Sequence, residues 1–245
     1  MVDIPPKGGL MKHLQPKTLQ VMAALLNRPD FSQRGLWKMC NRTISISLGQ
    51  VNKIVMDLEH KGFVEPRFNR SFLTGQKDRS NIRSKKTDPP ARITYRLSDP
   101  VGLLRYIAYF RSMKELKAFT VRVGGPSEAV IKELAKEGVI FCLGTAQSRY
   151  SSYFRPDEVS FYSTDIERIH GLLMKAPYGD TKIGCYRIDY APNTKERALL
   201  IDDRFASSEG KISYTTKVQT VLDMFCDGKG AYAKPLLKEL WDVQI

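Results

Sequence analysis

Ser45, Ser47, Gln50, Asn52 and Lys53 lie within one span of nine residues and bring together hydroxyls, carboxamides and an ammonium. These are the groups that exchange hydrogen bonds with base edges. A glutamine or asparagine amide can pair bidentately with adenine, and a lysine can meet guanine or phosphate. Arg42 precedes the span, and Arg67, Arg70, Lys77, Arg79, Arg83, Lys85 and Lys86 follow it. Cations so placed grip phosphate and fix register without specifying sequence. Catalytic chemistry has less to build on. The three histidines, His13, His60 and His170, are far apart, and there is no Gly-x-Ser-x-Gly elbow and no phosphate-binding Gly-x-x-x-x-Gly-Lys-Ser or -Thr loop. Gly124-Gly125 with Ser127 opening a helix has the form of an anion-cradling turn. The two carboxylates that metal-assisted phosphoryl chemistry needs on one strand face do not follow it. Asp202 and Asp203 are adjacent, so on a strand they point to opposite faces. No catalytic residue, cofactor or metal is expected.

The positioning element is a helix over residues 48–58, whose apolar Leu48, Val51, Ile54, Val55 and Leu58 recur at three and four. Ser47 with Gln50 three residues on reads as a capping box. If Gln50 closes that box it cannot also read a base, so one role must yield. Lys61 and Gly62 are stop signals. Before it, helices are expected from about Pro16 to Arg28, with Leu19, Met22, Ala23, Leu25 and Leu26 inward, and from Ser32 to Asn41, burying Leu36, Trp37 and Cys40. After it, residues 63–67 and 92–97 alternate as two strands. Three helices and a two-stranded ribbon is the winged helix-turn-helix order, with residues 48–58 as recognition helix. An ordinary solvated helix is the alternative. The basic stretch 68–91 between the strands has no apolar period and is expected to stay mobile until phosphates neutralise it.

A helix over 99–117, with Leu103, Leu104, Ile107 and Phe110 as its stripe, is expected to be a linker or dimer contact. Strands and helices then alternate. Strands are expected at 119–123, 139–143, 158–162, 183–190 and 197–201, and helices at 128–137, 144–153, 165–175, 216–226 and 232–241. The fold class is α+β, with domains at 1–98 and 118–245.

Hydrophobic content of 42% and charged content of 27% exclude a disordered chain. No apolar run is long enough to span a bilayer, and the amino terminus lacks a basic-then-apolar signal, so a cytoplasmic protein without a membrane partner is expected. Cys40, Cys142, Cys185 and Cys226 are scattered, which points to buried reduced thiols rather than zinc or disulfides. The net charge of +13 lies in the first 117 residues, where 22 Lys or Arg face 9 Asp or Glu; the rest holds 17 of each. Such asymmetry implies a polyanion-binding front.

The run Ser-x-Gly-x-Val-x-Lys, then Asp-Leu-Glu-x-Lys-Gly-Phe-Val, over 47–64 resembles the recognition helix and wing of MarR-like winged-helix transcription regulators. That resemblance implies insertion into the major groove of double-stranded DNA. Phe141-Cys-Leu-Gly-Thr-Ala through Tyr153, Val159-Ser-Phe-Tyr, and residues 216–224 and 228–237 are similar to AbiEi-like antitoxins of type IV toxin–antitoxin loci. The similarity implies a nucleotidyltransferase-like scaffold without its catalytic carboxylates and a winged helix on its own promoter. The chain departs from that pattern in its long basic wing. The leading expectation is a promoter-occluding repressor acting as a homodimer, since paired helices match palindromic half-sites about 34–36 Å apart. The alternatives are an antitoxin that holds a cognate toxin protein through residues 118–245, a nucleotidyltransferase, and an RNA-binding protein.

Overall fold

The computed structural model describes residues 15–42, 44–68, 93–187, 206–209 and 212–243. Helices and strands are mixed, in α+β fashion, and the chain divides into two compact units. Among the described residues one unit holds 21–100; the other holds 101–243 with 15–20.

In the first unit the later part of α1 (Pro16–Asn27), from Val21 on, then α2 (Gln33–Cys40) and α3 (Leu48–His60) precede a ribbon of β2 (Val64–Phe68) and β3 (Ile93–Leu97). The two-residue strand β1 (Asp30–Phe31), not foreseen in the sequence, pairs with the other edge of β3, giving the order β1-β3-β2, all antiparallel. Phe31 stacks on Tyr95 at 5.6 Å, which secures that short pairing. Ser32 caps α2 by accepting from the Gly35 N–H at 3.1 Å. Val51, Val55 and Leu58 are fully buried, while Leu48 and Ile54 of the expected stripe are half-buried. Trp37 is half-buried rather than buried, because its indole N–H reaches out to donate to the Ile46 carbonyl at 2.9 Å. The α3 terminus closes as a Schellman motif: Phe63 N–H donates to Leu58 O and Gly62 N–H to Glu59 O, both at 2.9 Å. Gly62 takes φ +76°, which a side chain would strain.

The second unit opens with α4 (Pro100–Phe110) and α5 (Met113–Leu116), not one continuous helix. The break falls at Arg111 and Ser112. Ser112 caps α5, and Arg111 turns inward, with 5% of its surface exposed. Then come β4 (Lys117–Val123), α6 (Ser127–Lys136), β5 (Ile140–Phe141), α7 (Leu143–Tyr150), β6 (Val159–Ser163), α8 (Ile166–Leu173) and β7 (Thr181–Arg187). The chain continues through β8 (Ala206–Glu209), β9 (Ile212–Thr215), α9 (Lys217–Cys226), a 3-10 turn (Gly230–Ala233) and α10 (Lys234–Trp241). The mixed sheet runs β4-β7-β6-β5-β9-β8. The β8–β9 hairpin was not anticipated, and the expected strand at 197–201 and Asp202-Asp203 lie outside the described residues.

Period-two alternation gives this sheet two different faces. Val159, Phe161, Ile183 and Cys185 pack with Val130 and Leu134 of α6 and Ile169 and Leu173 of α8. The alternate residues Ser160, Tyr162, Gly184 and Tyr186 face the opposite layer, where α7 and α9 lie. There Thr145 of α7 accepts from Ser160 N–H at 2.8 Å, and Tyr162 donates to Asp223 of α9 at 2.8 Å. The Gly124-Gly125 turn is occupied by the protein itself: Gly124 N–H donates to the Pro177 carbonyl at 2.6 Å. Pro126, not Ser127, holds the N-cap position of α6 and supplies no side-chain cap. The four cysteines are buried and not joined in disulfides. Burial pushes the Cys185 thiol up to about 12 and raises Cys142 well above its usual range, with Asp223 adding to the latter.

Candidate nucleic-acid interface

The approach to α3 is an extended segment that alternates inward and outward: Ile44 and Ile46 are buried, Ser45 and Ser47 exposed. Arg42 stands exposed just before it. The indole bond from Trp37 to Ile46 ties this segment to α2, so the start of α3 is held from two sides. The capping box is complete. Ser47 Oγ accepts from Gln50 N–H at 3.1 Å, and Gln50 Oε1 accepts from Ser47 N–H at 3.0 Å. Closing it satisfies two of the orphan donors at the helix start.

With Val51, Val55 and Leu58 inward, helical geometry puts Gly49, Lys53, Met56 and His60 along the outermost line. Gln50 and Asp57 flank that line on one side and Asn52 on the other. Asp57, the acid nearest the outer line, is neutralised by an ion pair with Lys61 one turn on. Lys53 is exposed and has no ion pair among the described residues. Met56 is 63% exposed, an apolar side chain beside an ammonium. Sequence reading gave no role to Met56, Gly49 or His60. The signal was there, since all three fall opposite the buried stripe at helical spacing.

Both carboxamides are constrained. Bidentate pairing with adenine needs the amide oxygen and nitrogen presented together. The oxygen of Gln50 is held by the Ser47 N–H, and Asn52 Oδ1 is buried without a partner among the described residues. In this conformation Gln50 offers only its NH₂ group, so an adenine contact through it requires the box to open. Lys53, Ser45 and Arg42 are presented without such a cost.

The ribbon beside α3 contributes Arg67. Its guanidinium lies 3.6 Å from Asp30, an exposed pair formed by strands on opposite sides of β3. Pairs of this kind are worth at most about 1 kcal/mol, so a phosphate can compete for the arginine. Arg70, Lys77, Arg79, Arg83, Lys85 and Lys86 lie outside the described residues. Burial, with the charge of Glu59 adding, raises the Tyr95 hydroxyl above its usual pKa, and Tyr95 accepts from Gln33 Nε2 at 3.1 Å.

No protein-family model, curated protein or solved structure matches this chain. Among the described residues no helix is long and apolar enough to cross a membrane.

Proposed function

We propose that residues 15–98 form a winged helix-turn-helix, with α3 as recognition helix and β2–β3 as the wing. On this reading the protein is a sequence-specific regulator that binds double-stranded DNA and occludes a promoter, most simply as a homodimer. The observation that carries it is the outward line of α3. That line holds a lysine with no ion pair among the described residues and an exposed methionine, and the acid beside it is cancelled by Lys61. Arg42 and Arg67 bracket it and would fix register on phosphate. Lys53 would meet guanine or phosphate, and Met56 would supply apolar contact to a thymine methyl.

The test is selection of bound duplexes from a random pool, followed by Gln50→Ala and Lys53→Ala. Loss of the enriched motif with binding retained identifies the readers. If six to ten phosphates are engaged, affinity falls about 10³- to 10⁵-fold between 50 and 200 mM salt; a flat salt response sinks the reading. The second reading, an antitoxin that holds a toxin protein through the second unit, is favoured by one feature. Leu172, Met174 and Tyr178 are 40%, 64% and 83% exposed within seven residues of chain. Co-purification with a protein encoded beside it tests that.

A further inference from the structure

A cavity of about 210 Å³ opens in the second unit on the sheet face that carries Ser160 and Tyr186. Four lysines line it from four segments: Lys114 of α5, Lys117 of β4, Lys182 of β7 and Lys229 just after α9. Glu158 sits against it with 7% of its side chain exposed. Both its oxygens are taken. Oε1 accepts from Lys117 Nζ at 2.9 Å, Tyr186 OH at 3.0 Å and Ser160 Oγ at 3.3 Å. Oε2 accepts from Lys117 Nζ at 2.9 Å and is paired with Lys182 Nζ at 3.2 Å.

The backbone is shaped around this carboxylate. Gly184 lies in the interior of β7, where glycine weakens a strand unless something must approach closely. A Cβ at that position would come within 2.1 Å of Glu158 Oε1. Burial alone would raise the Glu158 pKa, but hydrogen bonds and charge from Lys117, helped by Lys182 and Tyr186, hold it below the usual value. An ionised, fully satisfied carboxylate therefore anchors two ammonium groups beside a cavity.

The charges do not cancel. Asp157, Glu158 and Asp227 are the acids in the lining, three against four lysines. Lys229 pairs with Asp227 at 2.9 Å, and Lys114 has no ion pair among the described residues. Each ammonium carries three N–H donors, and Glu158 and Asp227 use only part of that supply. The start of α7, at Leu143 and Gly144, also lines the cavity and has no side-chain cap, so its backbone N–H groups add to the donors. Glu158 and Asp227 are already committed to lysines and Asp157 is exposed to solvent, so the lysines are left with donors for further oxygen atoms bearing negative charge. Phe154, Pro156 and Leu143 give it an apolar wall.

We propose that this cavity binds the phosphate group of a small phosphomonoester, with Lys114, Lys117, Lys182 and Lys229 as its cations. The site belongs to the second unit alone and does not depend on the DNA reading. Lysines suit phosphate as point charges, and the enclosure suits one phosphate with a small organic part rather than a duplex backbone.

The test is calorimetric titration of the full chain in phosphate-free buffer with three probes: inorganic phosphate, adenosine monophosphate and adenosine. Saturable binding of the first two and none of the third is expected. Lys114→Met and Lys229→Met, at solvent-accessible positions that do not disturb the core, should each weaken phosphate roughly tenfold, the effect of one charge-assisted contact. Lys136→Met on α6, which is not in the lining, should leave binding unchanged. Absence of saturable phosphate binding in the millimolar range overturns the proposal, and so does equal weakening by Lys136→Met. A short duplex that displaces phosphate, and is itself weakened by Lys114→Met and Lys229→Met, would assign the site to nucleic-acid backbone and also overturn it.

Discussion

Lys53 and Lys117 meet opposite surroundings in the two units. Lys53 stands exposed on the outer line of α3 with no ion pair among the described residues. Lys117 is half-buried, spans both oxygens of Glu158 and lies over the Tyr186 ring at 5.2 Å. The contrast extends beyond these two side chains. Residues 21–100 hold 15 Lys or Arg against 7 Asp or Glu, while residues 101–245 hold 21 against 18. Arg111, Lys114 and Lys117, counted with the basic front when the chain is divided at 117, fold with the second unit. There Arg111 and Lys117 are turned inward and paired. A near-balanced charge count can thus conceal a charged interior.

The sharpest way to break this comparison is at the innermost pair. Arg111 donates to Asp223 at 3.1 Å and to Tyr162 OH at 3.0 Å, and Gln219 donates to the same Asp223 oxygen at 2.9 Å. The other oxygen, Oδ2, is buried without a partner among the described residues. Burial raises the Asp223 pKa, against the lowering pull of Arg111 and of hydrogen bonds from Tyr162 and Gln219. Arg111→Ala leaves that carboxylate uncompensated and should cost about 3–5 kcal/mol, read from urea unfolding. No comparable loss is expected from any single charge on the outer line of α3.

Gly184→Ala comes next, because its Cβ would displace the Glu158 carboxylate. A loss of about 1–3 kcal/mol is expected, and an unchanged midpoint would show that the carboxylate can move aside freely. The two buried acids should also respond to pH with opposite sign. Glu158, held below 4.5, contributes stability that is present above that value and is lost as pH falls through its folded pKa. Asp223, raised above 3.8, contributes stability that is complete below 3.8 and is lost as pH rises through its folded pKa. Glu158→Gln should therefore differ from wild type less as the solution is acidified, whereas the deficit of Asp223→Asn, which strands the buried Arg111 charge, should grow. Thermal unfolding across pH 3–6 checks both, and parallel trends would contradict the pairing described.

Smaller effects sharpen the comparison from the other side. Ser47→Ala removes the hydroxyl that caps α3 and should cost about 1 kcal/mol in chemical denaturation, while the backbone N–H at position 47 still holds the Gln50 oxygen. Lys53→Ala should change stability by no more than about 0.5 kcal/mol, yet weaken duplex binding and lower the salt slope by about one.

Local features could be read from the chain; assembled ones could not. The Ser47–Gln50 box, the Val51–Val55–Leu58 stripe and the Gly62 stop involve residues within a few positions of each other, where helix geometry alone fixes the relation. The β8–β9 hairpin was missed because Ala206, Ser207, Ser208 and Glu209 are poor strand formers and take their place by pairing. The Glu158 cluster was invisible for a different reason. Lys117 is 41 residues before Glu158 and Tyr186 is 28 after it. Only the sheet order β4-β7-β6 makes them neighbours. In sequence, Gly184 looks like a flaw in a strand; in the fold, it is the space the carboxylate fills.

The chain contains two tryptophans, Trp37 in the first unit and Trp241 at the end of α10 in the second. Because the Trp37 indole is bonded to the segment that launches α3, its emission is a built-in fluorescent gauge of that junction. Trp37→Phe silences it and leaves Trp241 alone to report, so the unfolding of each half can be followed by light without attaching a dye.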